Sequence, residues 1–307
     1  MEQEKKVILL AGPTGSGKSK LALQLAKKIN GDVINADSMQ IYKEFFFLTS
    51  RPPKNDTNVV NHRLYGFHSV RQKFSTGHWL KMAIKEIMRQ WKNNQTPIVV
   101  GGTGLYFKAL TEGLAKIPDV PNDLRIKIRE LHKKIGQKKF YIKLIKLDPI
   151  AKRFLSPMDS QRSMRAYEVK KFTNKSLFLL SKETKPKFDK RVFKKLFIDI
   201  PKDLLHKKID NRVDKMFHED VVVEVKNFLS MKINKELSSN KIIGIKEIQN
   251  YIQGKATLIK TKELIKLKTR QYAKRQFTWA RGHMGSWNRI YSPNFNDLFK
   301  QAINKIS

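Results

Sequence analysis

Residues 12–19 read Gly12-Pro13-Thr14-Gly15-Ser16-Gly17-Lys18-Ser19, the complete spacing G-x-x-x-x-G-K-[ST]. The loop follows an apolar run, Val7 to Ala11, and precedes a helix-period stretch, Leu21 to Ile29. Nothing else in the chain restricts the fold as much, because a buried strand, a glycine turn and a helix N-terminus must then follow one another within a few residues. In such a turn the glycines let consecutive backbone N–H groups point inward around phosphate oxygens. Lys18 adds a compact positive charge, and the Ser19 hydroxyl can ligate Mg²⁺. The loop therefore predicts a bound polyphosphate.

Around it, strand-like runs alternate with helix-period stretches: Val7 to Ala11, Leu21 to Ile29, Val33 to Asn35, Ser75 to Trp91 and Pro97 to Val100. That alternation predicts an α/β fold, a P-loop NTPase-like parallel sheet core. The character changes at Pro118-Asp119-Val120-Pro121. From residue 122 to about 180 the pattern is helical and rich in Lys and Arg, with a helix cap at Asp159 and a turn at Thr173 to Lys175. Leu196 to Ile200, closed by Pro201, reads as a strand returning to the sheet. The expected organisation is thus a core of residues 1–117 and 192–307 carrying a helical insertion, 118–191. The C-terminal part is expected to be helical over Leu204 to Phe217, Val221 to Leu229, Ile243 to Tyr251 and a long basic helix from about Lys260 to Arg281.

Across 307 residues, 63 Lys+Arg stand against 27 Asp+Glu, a net charge of +36 at pH 7 that suits a polyanionic partner. Lysine is abundant even where no role is evident, so the arginine-rich stretches are the sharper guide. Cysteine is absent, which excludes disulfides and thiolate zinc sites, and the seven histidines show no metal-ligand spacing. No apolar run reaches membrane-spanning length, and Met1 to Lys6 is too short and too charged for a signal peptide. A soluble, cytoplasmic protein without membrane contact is expected.

Asp37 closes the run that begins at Val33, in Ala36-Asp37-Ser38-Met39-Gln40-Ile41-Tyr42. Ligands of open parallel sheets bind beyond the carboxyl ends of the strands, so this carboxylate is expected to face the phosphate loop. Three roles are open to it: orienting a Mg²⁺ water, accepting a proton from a nucleophile, or capping a helix. A second glycine turn, Gly101-Gly102-Thr103-Gly104, follows Ile98 to Val100 and repeats the strand-to-helix logic, although close packing explains such turns equally well. Gln161-Arg162-Ser163-Met164-Arg165 places two guanidiniums on one helix face beside an amide, a set suited to base edges and phosphates or simply to a solvated surface. Lys268 to Arg281 interleaves arginines and lysines with Tyr272, Phe277 and Trp279, which can stack on unpaired bases or pack in the core.

Taken together and in this order, the motifs resemble those of the bacterial tRNA dimethylallyltransferases, the tRNA isopentenyltransferase family. The likeness runs from Ile8 to about Arg281 through GPTGSGKS, ADSMQIY, GGTGLYFKAL, EGLA, DPIA, QRSMRAYEV, RVDKM, GIKEI and AKRQFTW. The resemblance implies that the loop Gly12 to Ser19 holds the diphosphate of dimethylallyl diphosphate rather than ATP, with Mg²⁺ on Ser19. It implies Asp37 as general base on the exocyclic amine of the adenosine 3′ to the anticodon, with Thr103 and Arg212 assisting near the diphosphate. It also implies contacts to a tRNA anticodon stem-loop from Asp37, Ser38, Met39, Gln40, Thr103, Arg125, Gln161, Arg162, Ser163, Met164 and Arg165, in a monomer whose helical insertion closes over the RNA. The chain departs from the family pattern at Ser156 and Met158, Leu48, Asp220, Ile245 and Ala280.

Two other functions compete. An adenylate isopentenyltransferase shares the core but takes a free nucleotide, and needs neither the long helical insertion nor the basic C-terminal helix. An RNA-binding NTPase switch needs a Walker B carboxylate, for which Phe197-Ile198-Asp199 is a loose match.

Overall fold

The computed structural model describes residues 5–307; the reading of Met1 to Lys6 as no signal peptide lies largely outside them. The elements, in chain order, begin with β1 Val7–Ala11, α1 Lys18–Lys28, β2 Val33–Asn35, α2 Lys54–Val59, β3 His62–Arg63, α3 Thr76–Lys92, β4 Ile98–Gly101 and α4 Gly104–Glu112. Helices follow in α5 Asn122–Leu147, α6 Ser160–Thr173 and α7 Leu177–Lys182. The chain then runs through β5 Phe193–Ile198, α8 Lys202–Phe217, α9 Val221–Ser230, α10 Ile245–Ile252, α11 Leu258–His283, β6 Asn288–Ile290 and α12 Phe295–Ile306.

Among the described residues the strands form one six-stranded sheet in the order β3-β2-β4-β1-β5-β6, with every pairing parallel. β1 lies in the middle, Leu10 opposite Val100 on one side and Leu196 on the other. All five of its residues are buried, as the unbroken apolar run requires of a strand covered on both faces. One face packs Ile8, Leu10, Val33, Ile98 and Leu196 against α1, α8, α9 and α12, while the other packs Leu9, Ile34 and Val99 against Trp79 of α3 and Phe107 of α4. Because the sheet is parallel, the ends of β1, β2, β4 and β5 all leave it at one edge, and it is there that the loop Gly12 to Gly17, Asp37 and the second glycine turn collect.

The chain divides into two compact units, Met1–Thr111 with Phe188–Ser307, and Glu112–Lys187. The second unit starts and ends a few residues before the expected insertion, 118–191. Its two ends meet at Gly113, which adopts φ +91° and lies so close to the Lys185 backbone that a Cβ would come within 2.8 Å of its carbonyl oxygen. This unit has its own core of Ile128, Phe140, Leu144, Ala151, Leu155, Ala166 and Tyr167. The cap expected at Asp159 is present, its carboxylate accepting from the Arg162 amide at 3.0 Å. α5 is interrupted at Gly136, whose φ of 73° no other residue type adopts easily.

β5 covers Phe193–Ile198 rather than Leu196 to Ile200, since Asp199 and Ile200 already turn toward Pro201, which caps α8. β3, β6, α2 and α12 have no counterpart in the pattern reading. The two strands have only two and three residues, too few for a periodicity to register.

Candidate active site

The phosphate loop is held from several sides. Gly15 and Gly17 adopt φ of 82° and 88°, left-handed values that glycine reaches without strain. At the start of α1 the first amides have no helical acceptor, which leaves Lys18 and Ser19 at a donor-rich helix N-terminus. The Lys18 ammonium donates to the Pro13 carbonyl at 3.1 Å, and Arg212, on α8, donates to the Thr14 hydroxyl. Arg212 is thus brought to the loop from 198 residues away. The Ser16 hydroxyl is buried without a partner.

Asp37 completes the cluster. It caps no helix: residues 38–40 form a turn, and its carboxylate accepts from the Met39 amide at 2.9 Å. Asn35 brackets the same turn, accepting from the Asp37 amide at 2.8 Å and donating to the Asp37 carbonyl at 2.9 Å. Asn35 is in turn fixed by Trp79, whose indole donates to its carbonyl at 2.7 Å and whose ring stacks on Tyr106 at 4.2 Å. The Asp37 charge acts on both cations of the loop. Burial pulls the Lys18 ammonium down to about 8, with Asp37 opposing and Arg212 reinforcing the shift. Burial likewise lowers Arg212 while Asp37 raises it. Three phenols also sense Asp37: Tyr65, Tyr106 and Tyr272 are pushed up, first by burial and then by this carboxylate. They remain neutral at ordinary pH, which leaves Asp37 as the carboxylate that the phosphate-loop cations and these phenols share.

Thr103 sits beside Asp37. Its hydroxyl accepts from the Ser38 amide at 2.9 Å and donates to the Ser38 hydroxyl at 3.3 Å, while its own amide donates to the Ala36 carbonyl at 3.1 Å. That amide is committed to the protein, and the glycines of the second turn serve packing. A Cβ on Gly101 would lie 2.1 Å from the Ala36 oxygen, one on Gly102 2.1 Å from the Gln276 side chain, and one on Gly104 2.2 Å from the Trp279 ring. Met39 and Gln40 follow in the same turn, and the Gln40 amide donates to the Thr49 and Ser50 carbonyls at 3.0 and 2.9 Å. Against the turn lies a cavity of about 230 Å³, lined among others by Thr103, Phe107, Phe197, Tyr272, Trp279 and Ala280.

The remaining candidates belong to the second unit. Arg162 is exposed and pairs with Asp159 at 2.5 Å, whereas Arg165 pairs with Glu168 at 3.2 Å. Gln161 is exposed and Met164 and Arg125 are partly buried. Ser163 is fully buried, its hydroxyl accepting from Gln137 at 3.4 Å, and so lies inside the unit rather than on its surface. On α11 the aromatics are packing residues in large part: Phe277 meets Phe197 edge-on at 5.8 Å, Trp279 stacks on His283 at 4.4 Å, and Tyr272 is half-buried. Leu48, Ile245 and Ala280 are buried, and Leu48 fills the space over Gly244. Asp220 stands at the N-terminus of α9 without a side-chain cap bond. Ser156 accepts weakly from the Met158 amide at 3.4 Å, and Met158 is exposed.

Asn35, Trp79 and Gln276 escaped the sequence reading as site residues. Only the place of Gln276 in AKRQFTW offered a signal, and its partners lie far away in the chain. Asp199, the loose Walker B match, is engaged by Arg289 at 2.9 Å. Among the described residues no three His, Cys, Asp or Glu side chains gather as a metal site, and no helix is long and apolar enough to cross a membrane.

Residues 40–283 match the family model described as IPP transferase. A tRNA dimethylallyltransferase of Pelagibacter ubique is 50% identical over 290 residues, covering 94% of this chain and 93% of that protein. One from Rickettsia massiliae is 41% identical over 307 residues, covering 99% and 84%. Among solved structures, the tRNA isopentenylpyrophosphate transferase of Bacillus halodurans superposes with a TM-score of 0.68 at 28% identity, over 98% of each chain. A eukaryotic dimethylallyltransferase described as acting on tRNA superposes with a TM-score of 0.84 at 27% identity, over 98% of this chain and 77% of that one. With its phosphate loop, Asp37 turn and parallel sheet in the arrangement described, the chain belongs to the IPP transferase family.

Proposed function

We propose that this protein transfers a dimethylallyl group from dimethylallyl diphosphate to the exocyclic amine of the adenosine 3′ to the anticodon of tRNA, releasing diphosphate. The observation that carries the reading is the convergence, at one sheet edge, of a phosphate loop with two cations and a single carboxylate held in a rigid turn. In the reaction the amine nitrogen forms a bond to the allylic carbon. The carbon–oxygen bond to diphosphate breaks, its electron pair leaves on the diphosphate, and the amine proton passes to Asp37. Lys18 and Arg212 neutralise the leaving charge, and a bound diphosphate holds Lys18 in its charged form. Thr103 keeps Ser38 and the Asp37 turn in place through its two hydrogen bonds.

A Mg²⁺ ion fits this donor set. It characteristically takes one or two protein oxygens with water and phosphate oxygens, so the exposed Ser19 hydroxyl beside the loop suffices and no carboxylate cluster is needed. Bound there, it supplies additional neutralisation of the diphosphate. The second unit, with Arg125, Gln161, Arg162 and Arg165, is assigned to the anticodon stem-loop. The proposal takes the protein to act as a monomer in the cytoplasm. The relatives' names favour a tRNA acceptor over a free nucleotide. Mass spectrometry of nucleosides, after incubation with dimethylallyl diphosphate, Mg²⁺ and either tRNA or AMP, tests the proposal. Prenylated adenosine at the position 3′ to the anticodon is expected, and prenylation of AMP alone would refute it.

A further inference from the structure

Gln276 of α11 ties the two glycine loops together. Its Oε1 accepts from the Thr14 amide at 2.8 Å and its Nε2 donates to the Gly102 carbonyl at 3.0 Å. The partners fix the orientation of the side chain, because an N–H only donates and a carbonyl only accepts. An amide alone among side chains of this length meets both demands without charge. Gly102 is the residue that permits so close an approach, as its missing Cβ shows.

The bond to Thr14 affects what the phosphate loop can hold. The upstream part of the loop is committed within the protein: the Thr14 amide to Gln276, the Thr14 hydroxyl to Arg212, and the Pro13 carbonyl to the Ser16 amide at 3.2 Å and to Lys18. The downstream part is open, with the first amides of α1 unpaired by helix geometry and the Lys18 and Arg212 cations beside them. In a loop of this kind the amides at the helix N-terminus and the lysine can take two phosphoryl groups, so a third must lie against the amides earlier in the loop. We infer that Gln276 is a positioning residue that restricts the loop to diphosphates, by occupying the Thr14 N–H that a third phosphoryl group would require. The inference rests on the reading of the loop as a diphosphate site, and adds to it the side chain that rejects triphosphates.

The test is calorimetric titration of the full chain with inorganic pyrophosphate and inorganic tripolyphosphate, for the wild type, Gln276→Met and Gln276→Glu. Methionine keeps the length of the side chain but accepts nothing from Thr14. Its tripolyphosphate affinity should rise relative to pyrophosphate by about tenfold, the scale of one hydrogen bond to a charged group. Glutamate still accepts from Thr14, so it should weaken both anions while keeping the wild-type preference. A purely structural role would shift both anions together and leave their ratio alone. A ratio within about twofold of wild type for a folded Gln276→Met protein overturns the inference and leaves the diphosphate reading standing. If that variant does not fold, Gln276→Leu, which also leaves the Thr14 amide without its acceptor, is read in the same way: a raised tripolyphosphate-to-pyrophosphate ratio supports the inference, and an unchanged ratio overturns it. Failure of the wild type to bind pyrophosphate overturns both readings.

Discussion

Replacing Asp37 by Asn separates the chemistry of the site from its architecture. The amide side chain has nearly the shape of the carboxylate, and its oxygen can still accept from Met39, as Asp37 does at 2.9 Å. The two hydrogen bonds from Asn35 go to the backbone of residue 37 and do not depend on its side chain. The turn should therefore persist, and the loss is a negative charge and a proton acceptor. A positioned general base contributes about 10² to 10⁴ in rate, so the barrier should rise by roughly 3 to 5 kcal/mol. Binding should move the other way. Asp37 competes with diphosphate for the charges of Lys18 and Arg212, on both of which it acts. Its removal should leave pyrophosphate affinity unchanged or tighter. Single-turnover transfer to an anticodon stem-loop reads the first effect, and calorimetry with pyrophosphate at pH 7 reads the second. Transfer within a few-fold of wild type would refute the role of Asp37 as base, and a collapse of pyrophosphate binding would show that the carboxylate builds the site instead.

Three further outcomes are expected. Lys18 has its folded-state value near 8 against an ordinary 10.5, so folding penalises its charged form; the penalty is complete below pH 8 and fades as pH rises to 10.5. Diphosphate binding above pH 8 should accordingly take up a proton, seen as a buffer-dependent heat in calorimetry, and its absence would contradict the electrostatic account. Arg162→Ala should weaken a matched stem-loop by about 1 to 3 kcal/mol, whereas substituting the exposed Lys139 should lower affinity for all RNAs alike and reduce the salt slope by about one. The surface pair with Asp159 is worth at most about 1 kcal/mol and does not prevent Arg162 from engaging RNA; equal, sequence-blind losses for both variants would remove Arg162 from the reading face. Glu224→Ala should cost about 2 to 3 kcal/mol in denaturant unfolding, because its carboxylate accepts from the amides of Phe46, Phe47 and Leu48 at once. A loss below about 0.5 kcal/mol would mean that water replaces it.

Whatever depends on a few consecutive residues is legible in the amino-acid order. The strand, glycine loop and helix from Val7 to Lys28 follow from local geometry, as does the exit of Asp37 from β2 and the cap at Asp159. Packing selects which distant residues complete those local pieces. Arg212 and Gln276 reach Thr14 across 198 and 262 residues, and from periodicity alone each is an ordinary helix residue. The second glycine turn looked like a copy of the first, yet its glycines clear space for Ala36, Gln276 and Trp279, which only the docking of α11 on the sheet reveals. Likewise Ser163 shares its motif with two arginines but points into the core, because a helix turns by about 100° per residue and assigns neighbours to different faces. Local conformational preference is written in adjacent residues. Which side chain fills a gap or meets an unpaired amide depends on how the elements pack, and that information is spread over the whole chain.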